Sequence, residues 1–440
     1  MKRTTFIIPL ILFVSFTTIF SCNEPRKDAT ENQASKVKLI HENDGYHLLV
    51  NGEKFYIKGA GLEFGNMQSL KLHGGNSFRT WRVHNGKQSG KEVLDEALKN
   101  GLMVCMGLEV GRERHGFDYD NVALVKQQYE AIKNDVLELK DHPALLMWGI
   151  GNELNLRYTN PKVWDAVNNI AKMIHELDPN HLTTTMLAGA GKENIRQVLE
   201  RCPNLDLLSF QLYGDIVNLP QYLKESDYNG AYIVSEWGAT GHWEVAQTLW
   251  DRPIEQNSHE KAMAYKERYE KIIASDPKQC IGSFVFLWGQ KQERTPTWYG
   301  LFLESGEETE SVDVMHYLWN KTWPENQTPR LLSLELNQLN AFNSITLTEG
   351  QDCTAQVKAT EPDNDIMHYR WVIHKEVHRE HESDGGDFEK DPDIILDFKK
   401  KGSTETIQFK APKAGEYRLY VYVSDDKGHA ATANIPFLIK

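Results

Sequence analysis

Two glutamates stand at the ends of apolar runs. Leu145-Leu146-Met147-Trp148-Gly149-Ile150-Gly151-Asn152-Glu153 stays apolar or glycine until it stops at a polar pair. The run is too short for a membrane span and too uninterrupted for a surface strand. It suits a parallel strand covered on both faces. Ala231-Tyr232-Ile233-Val234-Ser235-Glu236-Trp237 has the same form. A carboxylate at the carboxyl end of such a strand stands at the mouth of a parallel α/β barrel, where these folds place their chemistry. Breaking a glycosidic bond needs one carboxylic acid to protonate the leaving oxygen. It also needs a second carboxylate to attack carbon or to activate water, and neither role calls for a metal or cofactor. Plainer readings stand beside these: Glu153 as a helix N-terminal carboxylate, Glu236 as an ion-pair residue.

The rest of the chain must hold the two carboxylates opposite each other. Strands are predicted over 55–62, 77–81, 102–109, 145–152, 181–187, 205–213, 231–236 and 281–288. Helices are predicted over 68–73, 91–100, 122–140, 163–177, 258–274 and 312–319. Such alternation predicts a (β/α)8 TIM barrel. Turns at Asn43-Asp44-Gly45 and Asn51-Gly52 predict a hairpin cap before the first barrel strand. Counted this way, Glu153 and Glu236 end strands four and seven and point to one mouth from opposite sides.

The chain divides into a targeting segment (1–22), a polar tether (23–35), the capped barrel (36–320), a linker (321–329) and an all-β sandwich (330–440). Lys2-Arg3 followed by the apolar stretch 6–20 has the form of a signal peptide. Runs such as Tyr417-Arg418-Leu419-Tyr420-Val421-Tyr422-Val423, set between Asp- and Gly-rich turns, predict the sandwich. The charged stretch 374–391 reads as a solvated loop, with metal binding as the alternative.

The formal net charge of −13 argues against a nucleic-acid partner and suits a neutral ligand. The five cysteines match no zinc or CxxC spacing, so no metal site and no cofactor are expected. Cys105, within an apolar run, is expected as a buried free thiol.

His142-Pro143, Trp148 and Gly151-Asn152-Glu153 together resemble the strand-four motif of clan A glycoside hydrolases, notably the family-two-like barrels. Ile233-Val234-Ser235-Glu236-Trp237-Gly238 resembles their strand-seven nucleophile motif. The resemblance covers residues 54–319 and implies a retaining double displacement, with carboxyl groups about 5–5.5 Å apart. It implies Glu153 as acid/base, Glu236 as nucleophile and Asn152 as a contact to the neighbouring sugar hydroxyl. By the same match, Arg79 holds the nucleophile ionised and Tyr213 bonds to it. Trp288 becomes the aromatic floor of the central sugar subsite. For Arg79 the alternative is an ordinary ion pair, and for Tyr213 and Trp288 a place in the core.

Ile19-Phe20-Ser21-Cys22 resembles a bacterial lipobox, which implies lipid on Cys22 and an exported, membrane-anchored lipoprotein. An ordinary secretory signal is the alternative. The C-terminal turns resemble immunoglobulin-like modules of the polycystic-kidney-disease-repeat type. The whole arrangement is most similar to the branch containing bacterial endo-β-1,3-glucanases, glycoside hydrolase family 158. A β-glucan or related neutral polysaccharide is then the expected partner, handled by a monomer.

Several residues around the presumed mouth are candidates for specificity. Trp81, Trp237, Trp243 and Trp298 lie at or near strand ends, and tryptophan faces stack on the apolar faces of sugar rings. Glu63, Glu109 and His84 also end strands or begin the loops beyond them, with substrate contact and structural pairing both open.

Overall fold

The computed structural model describes residues 1, 33–382, 388–398 and 404–440. The signal segment, Cys22 and most of the tether lie outside the described residues. The strands β1 (Val37–Glu42), β2 (Gly45–Val50) and β3 (Glu53–Lys54) form an antiparallel sheet. The Val37 N–H donates to the Asn180 carbonyl and the Tyr46 N–H to the Lys278 carbonyl. Both acceptors lead into barrel strands, so this sheet caps the end of the barrel away from the carboxylates.

The barrel follows as β4 (Ile57–Gly61), α1 (Met67–Leu72), β5 (Ser77–Arg79), α2 (Gly90–Lys99), β6 (Met103–Leu108), α3 (Val122–Leu139), β7 (Leu145–Asn152) and α4 (Lys162–Leu177). It continues as β8 (Leu182–Ala188), α5 (Lys192–Arg201), β9 (Leu208–Gln211), α6 (Leu219–Glu225), β10 (Tyr232–Trp237), α7 (Ser258–Arg268), β11 (Cys280–Val285) and α8 (Glu310–Asn320). The eight strands β4–β11 close into one parallel ring, with β11 pairing back onto β4. The expected TIM barrel is therefore present. Helices α5 and α6 lie in stretches where the apolar pattern singles out none. Three strands stop two or three residues short of their predicted carboxyl ends. β5 stops before Trp81, β9 before Tyr213 and β11 before Trp288, because the chain leaves the ring at the mouth.

Local signals set the helix starts. Ser89 and Glu92 form a capping box at α2, and Asn257 and Glu260 another at α7. Each satisfies two helix-end N–H groups that water would otherwise have to reach. One apolar layer lies between strands and helices and includes Trp148, Trp164, Trp237, Trp288 and Trp319. A smaller cluster, with Cys105, Met147, Met186, Ile233 and Phe284, lies toward the capped end. Cys105, Cys202, Cys280 and Cys353 are all buried free thiols.

Strand β7 shows how the barrel aims its polar end. Trp148 points outward, donating from its indole to Asp178 at 2.8 Å, beside α4. Gly149 leaves room for Met186, whose Cε would lie 2.5 Å from a Cβ there. The pairing of β7 with β8 then shifts register between Gly149 and Asn152. Gly151 takes φ +73° and Glu153 φ +51°. This irregular end breaks the strict alternation of a strand, so consecutive Asn152 and Glu153 both serve the mouth.

Past the linker, two sheets stack. The first holds β12 (Arg330–Leu336), β14 (Asp352–Thr360) and β17 (Thr406–Lys410). The second holds β13 (Thr346–Leu347), β15 (His368–Lys375), β16 (Ile394–Phe398), β18 (Gly415–Ser424) and β19 (Ala430–Ile439). All pairings are antiparallel except β13 with β19. The core between them is built on Trp371, Leu419, Val421 and Phe437, and it includes Ile254 from a barrel loop. The backbones also join directly: Ala430 N–H donates to Glu308 O at 2.9 Å, and Glu308 N–H to Gly428 O at 2.8 Å.

Candidate active site

Glu236 ends β10 with its carboxylate inside the mouth. The Arg79 Nη1 lies 3.1 Å from Oε1, the Trp81 indole donates to Oε1 at 2.9 Å, and the Tyr213 hydroxyl donates to Oε2 at 3.0 Å. Three donors thus converge on one buried carboxyl. Burial, then the Glu236 charge, pushes the Tyr213 hydroxyl well above its ordinary value, so it remains a donor.

Arg79 ends β5 and is fully buried. Its Nη1 also donates to Ser235 O at 3.1 Å, and its Nη2 to Asn152 Oδ1 at 2.6 Å. Gln211, ending β9, donates to the same Asn152 oxygen at 2.7 Å. With two donors on its oxygen, the Asn152 amide is fixed in orientation. Its NH2 group is left as the donor available toward a sugar hydroxyl.

Glu153 follows Asn152. Burial, and next the Glu236 charge, push its carboxyl up to about 7. Arg114, Arg112 and Arg79 oppose that rise. Arg114 donates from Nη1 to Glu153 O at 2.6 Å, with Nη2 3.6 Å from Oε2. Arg112 donates to Asn152 O at 3.2 Å. Two arginines from the loop after β6 thus grip the backbone of the turn that presents the acid. The site sets a carboxyl raised to about 7 beside one that accepts from three donors, the kind of unequal pair that acid catalysis with a nucleophilic partner requires.

The structure brings Arg79, Asn152, Glu153, Tyr213 and Glu236 together. Trp237 and Trp288 stand elsewhere, and their reading as sugar contacts is corrected. Glu236 points into the mouth, so its neighbour Trp237 points outward and packs on Tyr265 and Tyr269. Trp288 lies past the end of β11 and stacks on Trp319 of α8 at 5.8 Å. Both indoles are completely buried. Phe286 takes the aromatic place among the side chains that hold Glu236, 5.8 Å from Trp81 and 6.0 Å from Tyr213. Trp298 is buried, its indole donating to Thr240 O at 2.9 Å. Trp243 remains open: it is 58% exposed and meets Tyr213 edge-on at 5.6 Å.

The remaining acids line the rim. Glu63 pairs with Arg82 at 2.6 Å, and its carboxyl is raised chiefly by burial. Glu109 is exposed and near enough to add to that rise. His84 is exposed and faces Asp135 at 3.4 Å. Sequence reasoning passed over Gln211, Arg112, Arg114 and Phe286. Gln211 stands two residues before Tyr213, a spacing that repeats a face along a strand and was there to be read. Arg112 and Arg114 repeat the same spacing in the loop after β6, but their target is visible only once the barrel closes.

With the site in place, comparison with known proteins gives the class. Residues 66–272 match the model for the TIM barrel domain of family 2 glycosyl hydrolases. That stretch, from α1 through α7, is similar to a glycosyl hydrolase barrel domain. No curated protein matches the chain in sequence. Among solved structures, a Bacteroides uniformis beta-glucuronidase aligns with 13% identity and a TM-score of 0.50, over 92% of this chain and 48% of that one. A beta-D-glucuronidase from Dictyoglomus thermophilum aligns with 18% identity and a TM-score of 0.50, over 66% of this chain and 55% of that one. The chain spans about half the length of the solved structures it matches. At these identities the likeness establishes the fold.

Proposed function

We propose that the chain is a retaining β-glycoside hydrolase. Glu153 protonates the leaving oxygen while Glu236 attacks the anomeric carbon. The C–O bond to the leaving group breaks as the C–O bond to Glu236 forms. Once Glu236 is esterified its charge is gone, so the second largest influence raising Glu153 disappears. Glu153 then gives up its proton more readily and acts as base toward water, which releases the sugar and restores both carboxyls. The observation that carries this reading is the unequal pair itself: a carboxyl raised to about 7 beside a carboxylate held by Arg79, Trp81 and Tyr213.

Within that reaction the substrate we favour is a β-1,3-glucan cut internally. The resemblance in domain order, the net charge of −13 and the open indole of Trp243 support a neutral polysaccharide. β-Mannan, β-galactan, an exo-acting mode and transglycosylation use the same residues. The immunoglobulin-like reading of the sandwich and a lipid on Cys22 belong to this proposal as well. They fit a surface enzyme tethered to a bacterial membrane.

The test is a panel of β-glucans, mannans, galactans and aryl β-glycosides, the last including β-glucuronides, with product length and anomeric form followed from the first turnover. Retained configuration together with loss of turnover in Glu236→Ala supports the mechanism. Inverted early products, or an active Glu236→Ala, would overturn it. Binding without turnover across the panel would make the chain a glycan-binding protein instead. Intact mass of the exported protein decides the lipid: a mature chain beginning anywhere but Cys22 removes it.

A further inference from the structure

Glu389 departs from the solvated loop that the charge of 374–391 implies. Glu389 is buried in the barrel's surface, with no exposed side-chain area. Its Oε1 accepts the Arg294 backbone N–H at 2.7 Å and the Gln292 amide at 3.1 Å. Its Oε2 accepts Arg294 Nη1 at 3.0 Å. These three donors all belong to the loop 289–299, which follows β11 at the mouth. Arg294 sits at φ +61°, a backbone conformation uncommon for a residue with a Cβ. Such a bend persists when its surroundings determine it.

A second tie reaches the same loop. Asn434 of β19 donates to Glu255 Oε2 at 2.6 Å. Glu255, in the loop before α7, accepts Thr295 Oγ1 at 2.6 Å, Thr297 Oγ1 at 2.8 Å and the Lys261 ammonium. Arg418 of β18 fixes Asn434 at 2.7 Å and reaches Pro253 O at 3.0 Å. Sandwich side chains therefore grip the loop once directly and once through Glu255.

The loop leads straight to the nucleophile. Tyr299 packs its ring 5.5 Å from Tyr213 and 5.9 Å from Phe286. Its hydroxyl accepts the His242 N–H at 3.1 Å, which fixes the ring. Tyr213 in turn donates to Glu236. An interface that served only to join two domains would be cheaper to build from apolar side chains, because burying charge carries a desolvation cost. Here the buried charges converge on one loop and specify its path.

We propose that Glu389 is a positioning residue for the reaction: from the sandwich, it sets the path of 289–299 and, through Tyr299 and Tyr213, the placement of Glu236. The sandwich is then a working part of the active site rather than a spacer. This rests on the glycosidase reading above, and the test separates the two.

In the full-length chain, Glu389→Ala removes all three acceptor contacts, while Glu389→Gln keeps an acceptor for the Arg294 N–H. The expected result is a fall in kcat of about tenfold for Glu389→Ala and a smaller fall for Glu389→Gln. KM stays at the wild-type value, while the melting temperature falls for Glu389→Ala, which leaves buried donors without their acceptor, and falls less for Glu389→Gln. Amide hydrogen exchange, which needs no turnover, should speed up in 289–299 and around Tyr213 in both variants. If Glu389→Ala does not fold, Glu389→Gln alone decides. Wild-type kcat together with wild-type exchange in Glu389→Gln overturns the proposal. So does a loss of activity matched by the unfolded fraction. A wild-type chain inactive on every substrate sinks the glycosidase reading, and the exchange result then judges the clamp by itself.

Discussion

Arg79 Nη1 lies 3.1 Å from Glu236 Oε1, and the same guanidinium places Nη2 2.6 Å from Asn152 Oδ1. One buried cation thus sets the distance between the strand that carries Glu236 and the strand that ends in Asn152, beside Glu153. Lysine cannot span both, since its ammonium is a single point rather than a fork. Arg79→Lys is expected to fold and to lose about a hundredfold in kcat, read by steady-state kinetics. Arg79→Met leaves Glu236 buried without its cation. It should cost about 3–5 kcal/mol in denaturant unfolding.

The pH profile follows from Glu153. Its carboxyl is raised to about 7, so it carries the catalytic proton below that pH and loses it above. The value of kcat/KM should therefore fall on the alkaline side with a midpoint near 7. Arg114 opposes the rise. Removing that positive charge in Arg114→Gln favours the neutral acid, so the alkaline limb should move to higher pH. A limb that stays in place or moves down would assign it to another group.

Tyr213 donates to the carboxyl of Glu236, and both side chains are buried. A hydrogen bond of this kind contributes about 1.5–3 kcal/mol. Tyr213→Phe keeps the ring contacts with Tyr299 and Phe286, so it should fold normally and lose about 10- to 100-fold in kcat. Slower formation of the glycosyl-enzyme in a burst experiment would locate the loss at the attack step.

Two tryptophans should separate cleanly. Trp243→Ala removes an exposed ring beside Tyr213 and is expected to raise KM while the melting temperature holds. Trp288→Ala empties a fully buried volume against Trp319. It should destabilise the chain by about 3–5 kcal/mol in chemical denaturation. The opposite pattern would restore Trp288 to the cleft.

The ring of strands is legible in the sequence because period, glycine and polar stops agree along each of them. The Asn152-Glu153 pair is legible as the place where an apolar run ends. Trp288 misleads because an unbroken run from Ile281 conceals where β11 leaves the ring, and that point is fixed by tertiary contacts. Trp237 misleads for a simpler reason: a strand that turns Glu236 inward must turn its neighbour outward, and the motif match overrode that alternation. Glu389 gives no signal at all. It stands among acids and histidines that look soluble, and its partner Arg294 is 95 residues away.

Ile254 belongs to a barrel loop, yet its side chain packs within the core of the sandwich. The seam between the two domains therefore does not coincide with the linker 321–329. A shuffled gene that joined this sandwich to a foreign barrel at the linker would leave a hole where Ile254 had been. The heritable unit, by that measure, is the sandwich together with the loop it encloses. Two such units would exchange between relatives as a pair or not at all.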